Sequence, residues 1–223
     1  MNANKEIRTV TCPACSQTNP FDSVSVIEEG TTNLKELFAG TINKVNCSFC
    51  STKFLVEIPI IYRDNPKNFL IYNKALGKDE ALTGLLDLMD ELYHRVYEDL
   101  DRKDKPTCRL TLSRKDLIEK IAIHQQGYDD RLIEYIKYQL FGHSKKGLDS
   151  NRMELLFDFS NTNQESICFL AFDLKTGNPL YSLNFQNEDY RKLENYFLSS
   201  SEMEKKLNQL FKKYYVHVGN LLG

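Results

Sequence analysis

The chain has no apolar run long enough to cross a membrane. One of its longest, Leu55 to Tyr62, is interrupted by Glu57 and Pro59 and falls far short of the ~20 residues that span a bilayer. No apolar segment follows Lys5, Glu6 and Arg8 to act as a signal peptide, so the expected compartment is the cytoplasm and no membrane partner is expected. Neither charge is in excess: 29 basic and 31 acidic side chains give a net −2. One dication held by four thiolates would take that to −4, so bulk electrostatics does not make this a polyanion binder. Cysteines are few, six in 223 residues, too sparse for a secreted disulfide scaffold. In a reducing compartment such thiols serve metal or chemistry. There is no repeat and no low-complexity segment. What remains is an ordinary globular composition, since 41% hydrophobic and 27% charged residues exclude a disordered chain. At ~150 residues per domain it makes one large domain or two small ones.

Four of the six cysteines fall into two pairs, Cys12-Pro13-Ala14-Cys15 and Cys47-Ser48-Phe49-Cys50. A two-residue spacer lets both sulfurs of a pair reach one tetrahedral ion at ~2.3 Å. The expectation is one structural zinc ion held by Cys12, Cys15, Cys47 and Cys50. Four protein ligands leave no open position for water or substrate, which argues against a catalytic metal. Iron or an iron–sulfur cluster is the competing occupant. A redox dithiol needs its first cysteine at a helix start, whereas Ser16-Gln17-Thr18-Asn19-Pro20 reads as a turn. Cys108 and Cys168 stand alone in strand-like segments and read as buried residues.

The gap of 31 residues between Cys15 and Cys47 is longer than usual, so the chain must turn back on itself. Ile7 to Thr11 predicts a strand into the first pair, and Val24 and Val26, alternating with Ser23 and Ser25, predict another. Asn33 with Glu36, then Gly40, predicts a short helix over Leu34–Ala39; Ile42 to Asn46 predicts a strand that delivers Cys47. Lys53–Tyr62 and Phe69–Tyr72 read as strands about a turn at 63–68. From Lys78 the period changes, and the stripe Leu82, Leu85, Leu86, Met89, Leu92, Tyr93, Val96 and Leu100 predicts a helix of roughly six turns. A strand follows at Cys108–Leu112. Ser113 with Asp116 starts a helix that stops near Gly127, and Asp129 starts another that stops at Gly142. Alternation at Phe157 and Phe159, then Ile167–Phe172 and Leu180–Phe185, predicts a β-meander. Two helices follow, one from Glu188 and one from the box Ser201 with Glu204; Tyr215–Val218 predicts a last strand.

These residues resemble the bacterial and archaeal CpXC-domain proteins. The resemblance starts at the two cysteine pairs and continues through Ile58-Pro59-Ile60-Ile61-Tyr62-Arg63-Asp64, Asp116-Leu117-Ile118-Glu119-Lys120-Ile121 and Tyr128-Asp129-Asp130-Arg131-Leu132-Ile133-Glu134-Tyr135-Ile136-Lys137. It covers roughly the first 140 residues, and the cysteine pairs are its specific part. Two departures stand out: Ser48 where the first pair has proline, and Ser16 and Ser51 where such zinc turns favour glycine. The family brings no established activity, so the resemblance implies the metal and the architecture alone.

Other signals fail or have bland readings. Asp87, Asp90, Glu91, His94 and Glu98 lie at helical steps but flank the apolar stripe, which makes them a solvated face. Gly142–Gly147 starts like a phosphate loop, but Leu148-Asp149 stands where Lys and Ser or Thr are required. Lys175-Thr176-Gly177 has no Ser-x-x-Lys to accompany it and reads as a turn. Asp130 and Arg131 have no evident local role, so they pair either within the fold or with the cysteine region or a partner.

The expected fold is α+β: an N-terminal β-rich four-cysteine zinc unit packed on a helical middle, then a C-terminal β-meander with two helices. The expected domains are 1–142, with the zinc β-unit over about 1–75 and the helical part over about 76–142, and a C-terminal region over 153–223. Functionally the chain reads as a non-enzymatic, zinc-binding interaction subunit or adaptor with a protein partner. The alternative is a nucleic-acid-binding zinc ribbon, disfavoured because Met1 to Arg63 holds equal numbers of basic and acidic side chains. An enzyme with dispersed catalytic residues is the third reading.

Overall fold

In the computed structural model the described residues are 5–101, 104–143 and 147–222. Residues 102–103, and 144–146 of the glycine-flanked stretch 142–147, lie outside them. The chain divides into two compact units, residues 1–118 and 119–223.

The first unit opens with a hairpin of β1 (Lys5–Thr11) and β2 (Thr18–Val24), antiparallel from Thr11↔Thr18 to Lys5↔Val24. Residues 18–20, expected in a turn, are strand. Pro20 is tolerated because a two-stranded sheet has only edges and the missing N–H costs no ladder bond. The strand expected across Val24 and Val26 is two strands that part at Ser25, β3 being Val26–Glu28. The parting has a local cause: the buried Asn43 amide takes both backbone groups of Val24, accepting its N–H at 2.8 Å and donating to its carbonyl at 3.0 Å. Helix α1 (Thr32–Phe38) follows, its entry turned at Gly30, where φ is +74°. The Asn33–Glu36 box does not form. Asn33 lies inside the helix, and Thr31 at the cap position turns its hydroxyl back to the Glu28 carbonyl at 2.7 Å.

Strands β4 (Lys44–Asn46) and β5 (Lys53–Leu55) make the second hairpin. The run expected as one strand over Lys53–Tyr62 breaks before Pro59, which has no N–H to give a ladder, and resumes as β6 (Ile60–Asp64). With β7 (Phe69–Asn73) and β8 (Thr107–Thr111) it forms a four-stranded sheet in the order β3-β6-β7-β8. The outer pairs β3–β6 and β7–β8 are parallel and the central pair is antiparallel. Ile27, Ile60, Tyr62, Ile71 and Leu110 of this sheet are wholly buried.

The connection from β7 to β8 carries α2 (Leu82–Tyr97), shorter than expected. Residues 77–80 form a turn instead, since Glu80 accepts the Gly77 N–H at 2.8 Å. Of its apolar stripe Leu85 and Met89 are buried, whereas Leu92 and Val96 are exposed. The flanking acidic face is solvated as expected, with Asp90 3.5 Å from His94. Helix α3 (Arg114–Gln125) begins at Ser113, whose hydroxyl accepts the Asp116 N–H at 3.1 Å, and its first residues end this unit.

In the second unit α3 continues from Glu119 and turns at Gly127, φ +77°, into α4 (Asp130–His143). The meander is β9 (Met153–Phe157), β10 (Ser166–Asp173) and β11 (Pro179–Gln186), antiparallel throughout. Phe159, expected in the first strand, lies in the turn beyond it. Lys175-Thr176-Gly177 is the turn from β10 to β11, held by Asp173 accepting the Lys175 and Thr176 N–H groups. Helices α5 (Asn187–Leu198) and α6 (Ser201–Gln209) follow, the latter capped by Ser200 rather than Ser201, through the Met203 N–H at 3.3 Å. The last strand is absent among the described residues. Its place is taken by a single bridge, Lys212 to Tyr215, and one 3-10 turn over Val218–Asn220. Val218 spends its N–H on the Glu134 carboxylate at 2.9 Å instead of on a neighbouring strand.

Candidate metal centre

Each cysteine pair sits at the tip of a hairpin, the first between β1 and β2 and the second between β4 and β5. The two tips have the same backbone. Cys12 N–H donates to the Gln17 carbonyl and Ser16 N–H to the Cys12 carbonyl, both at 2.9 Å; Cys47 N–H donates to Thr52 and Ser51 N–H to Cys47, again both at 2.9 Å. Ser16 and Ser51 take φ of +60° and +61°, the left-handed conformation for which glycine is the usual residue. The serines at those positions do not change the turn. The redox reading loses its support, because Cys12 opens a turn between strands and not a helix.

The four sulfurs lie within 4.8 Å of one another, with Cys12 3.6 Å from Cys50 and Cys15 3.6 Å from Cys47. A tetrahedron with ~2.3 Å metal–sulfur bonds has edges of ~3.8 Å. Both of these pairings run between hairpins, so a shared ion would tie β1–β2 to β4–β5. The cluster therefore fits one tetrahedral ion.

The thiols are electrostatically unequal. Burial opposes ionisation of Cys47, but the N–H groups of Cys50 and Phe49, with Cys15 and Asn19, outweigh it and bring the thiol down to about 6. At Cys15 the Gln17 N–H favours the thiolate, but burial and the three neighbouring sulfurs prevail and push it up to about 12. Four thiolates crowd their charge, and a dication at their centre would reverse that balance.

Two supporting residues carry no sequence signal. Asn19 on β2 is almost wholly buried and reaches across to the second tip. Its Nδ2 donates to Cys47 Sγ at 3.4 Å and to the Gln17 carbonyl at 3.0 Å, while its Oδ1 accepts the Ser48 N–H at 2.9 Å and the Ser48 hydroxyl at 3.0 Å. Thr52 meets Cys50 Sγ at 3.2 Å. Such outer partners orient metal ligands. An Asn in a Thr-Asn-Pro run reads as turn composition, and only the register of β2 puts it beside Cys47.

The remaining sequence candidates lie elsewhere. Cys108 on β8 and Cys168 on β10 are buried and unbridged, as expected. Arg131 has local partners after all: Asp129 holds its guanidinium by three bonds and also caps α4 through the Arg131 N–H, and the outer nitrogen reaches Glu204 and Asn208. Asp130 pairs with Lys120 at 3.3 Å. Both belong to the internal pairing of the second unit.

No helix among the described residues is long and apolar enough to cross a membrane. A family model described as CpXC protein matches residues 10–137. No curated protein and no solved structure matches the chain.

Proposed function

The chain belongs to the CpXC family, and we propose that it binds one structural zinc ion through Cys12, Cys15, Cys47 and Cys50 and acts as a non-enzymatic interaction subunit or adaptor. The observation that carries the zinc reading is the pair of matching turns, whose four thiols converge on one tetrahedron with no ligand position to spare. Soft thiolates select zinc or iron over hard cations, and the closed set favours a staple. Two short hairpins bury little by themselves, so ligation supplies folding free energy to them directly. A protein partner is favoured over nucleic acid by what the hairpins expose: Ile7 is 76% and Phe49 65% accessible, alongside a balanced charge.

Elemental analysis of freshly purified, reduced protein tests the metal. One zinc per chain without visible absorbance is expected; bound iron with visible absorbance, or no metal, overturns it. The nucleic-acid alternative predicts sub-micromolar, sequence-insensitive binding in fluorescence anisotropy. The adaptor reading predicts binding no tighter than ~10⁻⁵ M, falling steeply with salt.

A further inference from the structure

Strand β11 is an edge of the sheet β11-β10-β9, and its register shows which backbone groups face outward. Just past the pair Ser166↔Gln186, the Asn187 N–H donates to the Glu165 carbonyl at 2.9 Å. The alternate residues Phe185, Leu183 and Tyr181 therefore turn their backbone to Ile167, Phe169 and Ala171 of β10. Ser182 and Asn184 point N–H and C=O away from the sheet, and among the described residues no other group bonds to them there. The opposite edge is better guarded, since the Phe157 N–H of β9 goes to Glu119.

Natural sheets blunt an open edge with charge, proline, a bulge or a covering element. β11 reads Pro-Leu-Tyr-Ser-Leu-Asn-Phe-Gln and holds no charged residue. Its proline stands first, and its bulge falls at Leu180, where the register slips between Ala171 and Phe172. The stretch 181–185 is left regular. Leu183 is buried and Tyr181 and Phe185 are half-buried on one face, while Ser182 and Asn184 are exposed on the other.

That stretch is its own complement. Directly opposed residues of antiparallel strands share a face, so a twofold axis at Leu183 sets Leu183 against Leu183, Tyr181 against Phe185 and Ser182 against Asn184, the last two twice. The apolar face then runs on across both copies and carries two aromatic pairs, with the hydroxyl–amide pairs on the wet face. The outward backbone groups belong to Ser182 and Asn184, so each of those two pairs exchanges two bonds, about four in all. An axis at Ser182 instead would put Leu180 against Asn184 and Phe185 against Pro179, losing both matches.

We propose that β11 pairs antiparallel with β11 of a second copy about a twofold axis at Leu183, joining two three-stranded sheets into one. The contact is one strand wide, well below a standard interface, so the dimer is weak, with a Kd of ~10⁻⁴ M.

The test is sedimentation equilibrium of the purified full chain in reducing buffer, from about 10 µM to about 1 mM, a decade on either side of that value. Largely monomer is expected at the low end and mostly dimer at the high end. Ser182→Pro removes an N–H that β10 does not use, and should weaken the dimer at least ~10-fold while the dilute protein stays folded. Should that variant fail to fold, Ser182→Glu and Asn184→Lys decide. Each alone should weaken self-association about 3-fold, because like charges meet diagonally across the axis; an equimolar mixture should restore it, because the introduced carboxylate then stands directly opposite the introduced ammonium. A chain that stays monomeric at about 1 mM overturns the proposal and leaves the edge to a strand of another protein. A dimer indifferent to Ser182→Pro, or a mixture no tighter than either charged variant alone, overturns it as well.

Discussion

Replacing Glu134 by Gln removes the hub of a buried ionic network while leaving its shape almost unchanged. Glu134 on α4 is wholly buried; Oε1 accepts from Lys120 Nζ at 2.9 Å and from Lys137 Nζ at 3.1 Å, and Oε2 accepts the Val218 N–H. Burial opposes its ionisation, but the two lysines outweigh burial and bring the carboxyl down to about 2. A carboxyl whose folded value lies below its ordinary 4.5 contributes stability that is present above 4.5 and lost as pH falls through about 2. A difference of roughly 2.5 units at ~1.4 kcal/mol per unit makes that contribution about 3 kcal/mol. A second route agrees. Removing one partner of a buried pair costs ~3–5 kcal/mol. The lower end applies, since Lys120 keeps Asp130 at 3.3 Å and Lys137 keeps Glu119 at 2.7 Å. Glu119 works in the opposite sense: burial raises it, so its contribution is present below its ordinary value and lost as pH rises through the folded one. Comparing the two proteins at each pH cancels the titration of groups outside this network. Urea unfolding followed by circular dichroism should show the variant weaker by about 3 kcal/mol at pH 7, the gap closing between pH 4.5 and 2. A gap below about 1 kcal/mol at pH 7, or one that persists unchanged at acid pH, refutes the reasoning.

Four further outcomes follow from the metal site and the lone thiols. Cys47→Ser should lose the metal and lower the melting temperature, because three thiolates hold an ion that needs four; a variant that melts normally but loses a partner would make the site functional instead of structural. Cys108→Ala should cost only about 1 kcal/mol with metal content unchanged, and damage equal to that of Cys47→Ser would mean the ligands are misassigned. Asn19→Ala should weaken metal affinity by ~10- to 100-fold in a chelator competition, while unchanged affinity would reduce Asn19 to a packing residue. Ser51→Gly should raise stability by about 0.5–1 kcal/mol, because the left-handed strain at φ +61° exceeds the entropy that glycine adds to the unfolded chain; a loss would place the hydroxyl in a bond that matters.

The convergence of the four cysteines was legible because its signal is local: two spacings, each closed by a six-residue turn, set the thiols in pairs without reference to anything distant. The caps at Ser113 and Asp129 and the meander were legible for the same reason. The misreadings share a different cause. Val24 and Val26 look like one strand until Asn43, 19 residues beyond Val24, occupies the backbone of Val24, and Tyr215–Val218 looks like a strand until Val218 turns its N–H to Glu134, 84 residues earlier. In each case a side chain brought in by tertiary structure takes the hydrogen bond that a ladder would have used, and strand composition carries no trace of that competitor. Asn19 escaped notice by the same route, since its duty lies on another hairpin.

The two helical segments that carry the CpXC resemblance look like ordinary amphipathic helix sequence, and the buried network shows why they are not. Glu119 and Lys120 fall in the stretch Asp116–Ile121, and Asp130, Glu134 and Lys137 fall in Tyr128–Lys137. All five are buried, three acidic against two basic, and they pair with one another: Lys137 with Glu119 and Glu134, Lys120 with Glu134 and Asp130. Glu119 also accepts the Phe157 N–H, which ties α3 to the first strand of the meander, as Glu134 ties α4 to the C-terminal turn. An apolar core tolerates sliding of one helix along another, whereas each lysine here has two carboxylates at fixed positions and a displaced α4 would strand a buried charge. The five residues thus act on register more than on net stability. That role requires two turns of α3 and α4 to keep their charges at set spacings, which is how a stretch of charged helix can be as specific to a fold as a pair of cysteines.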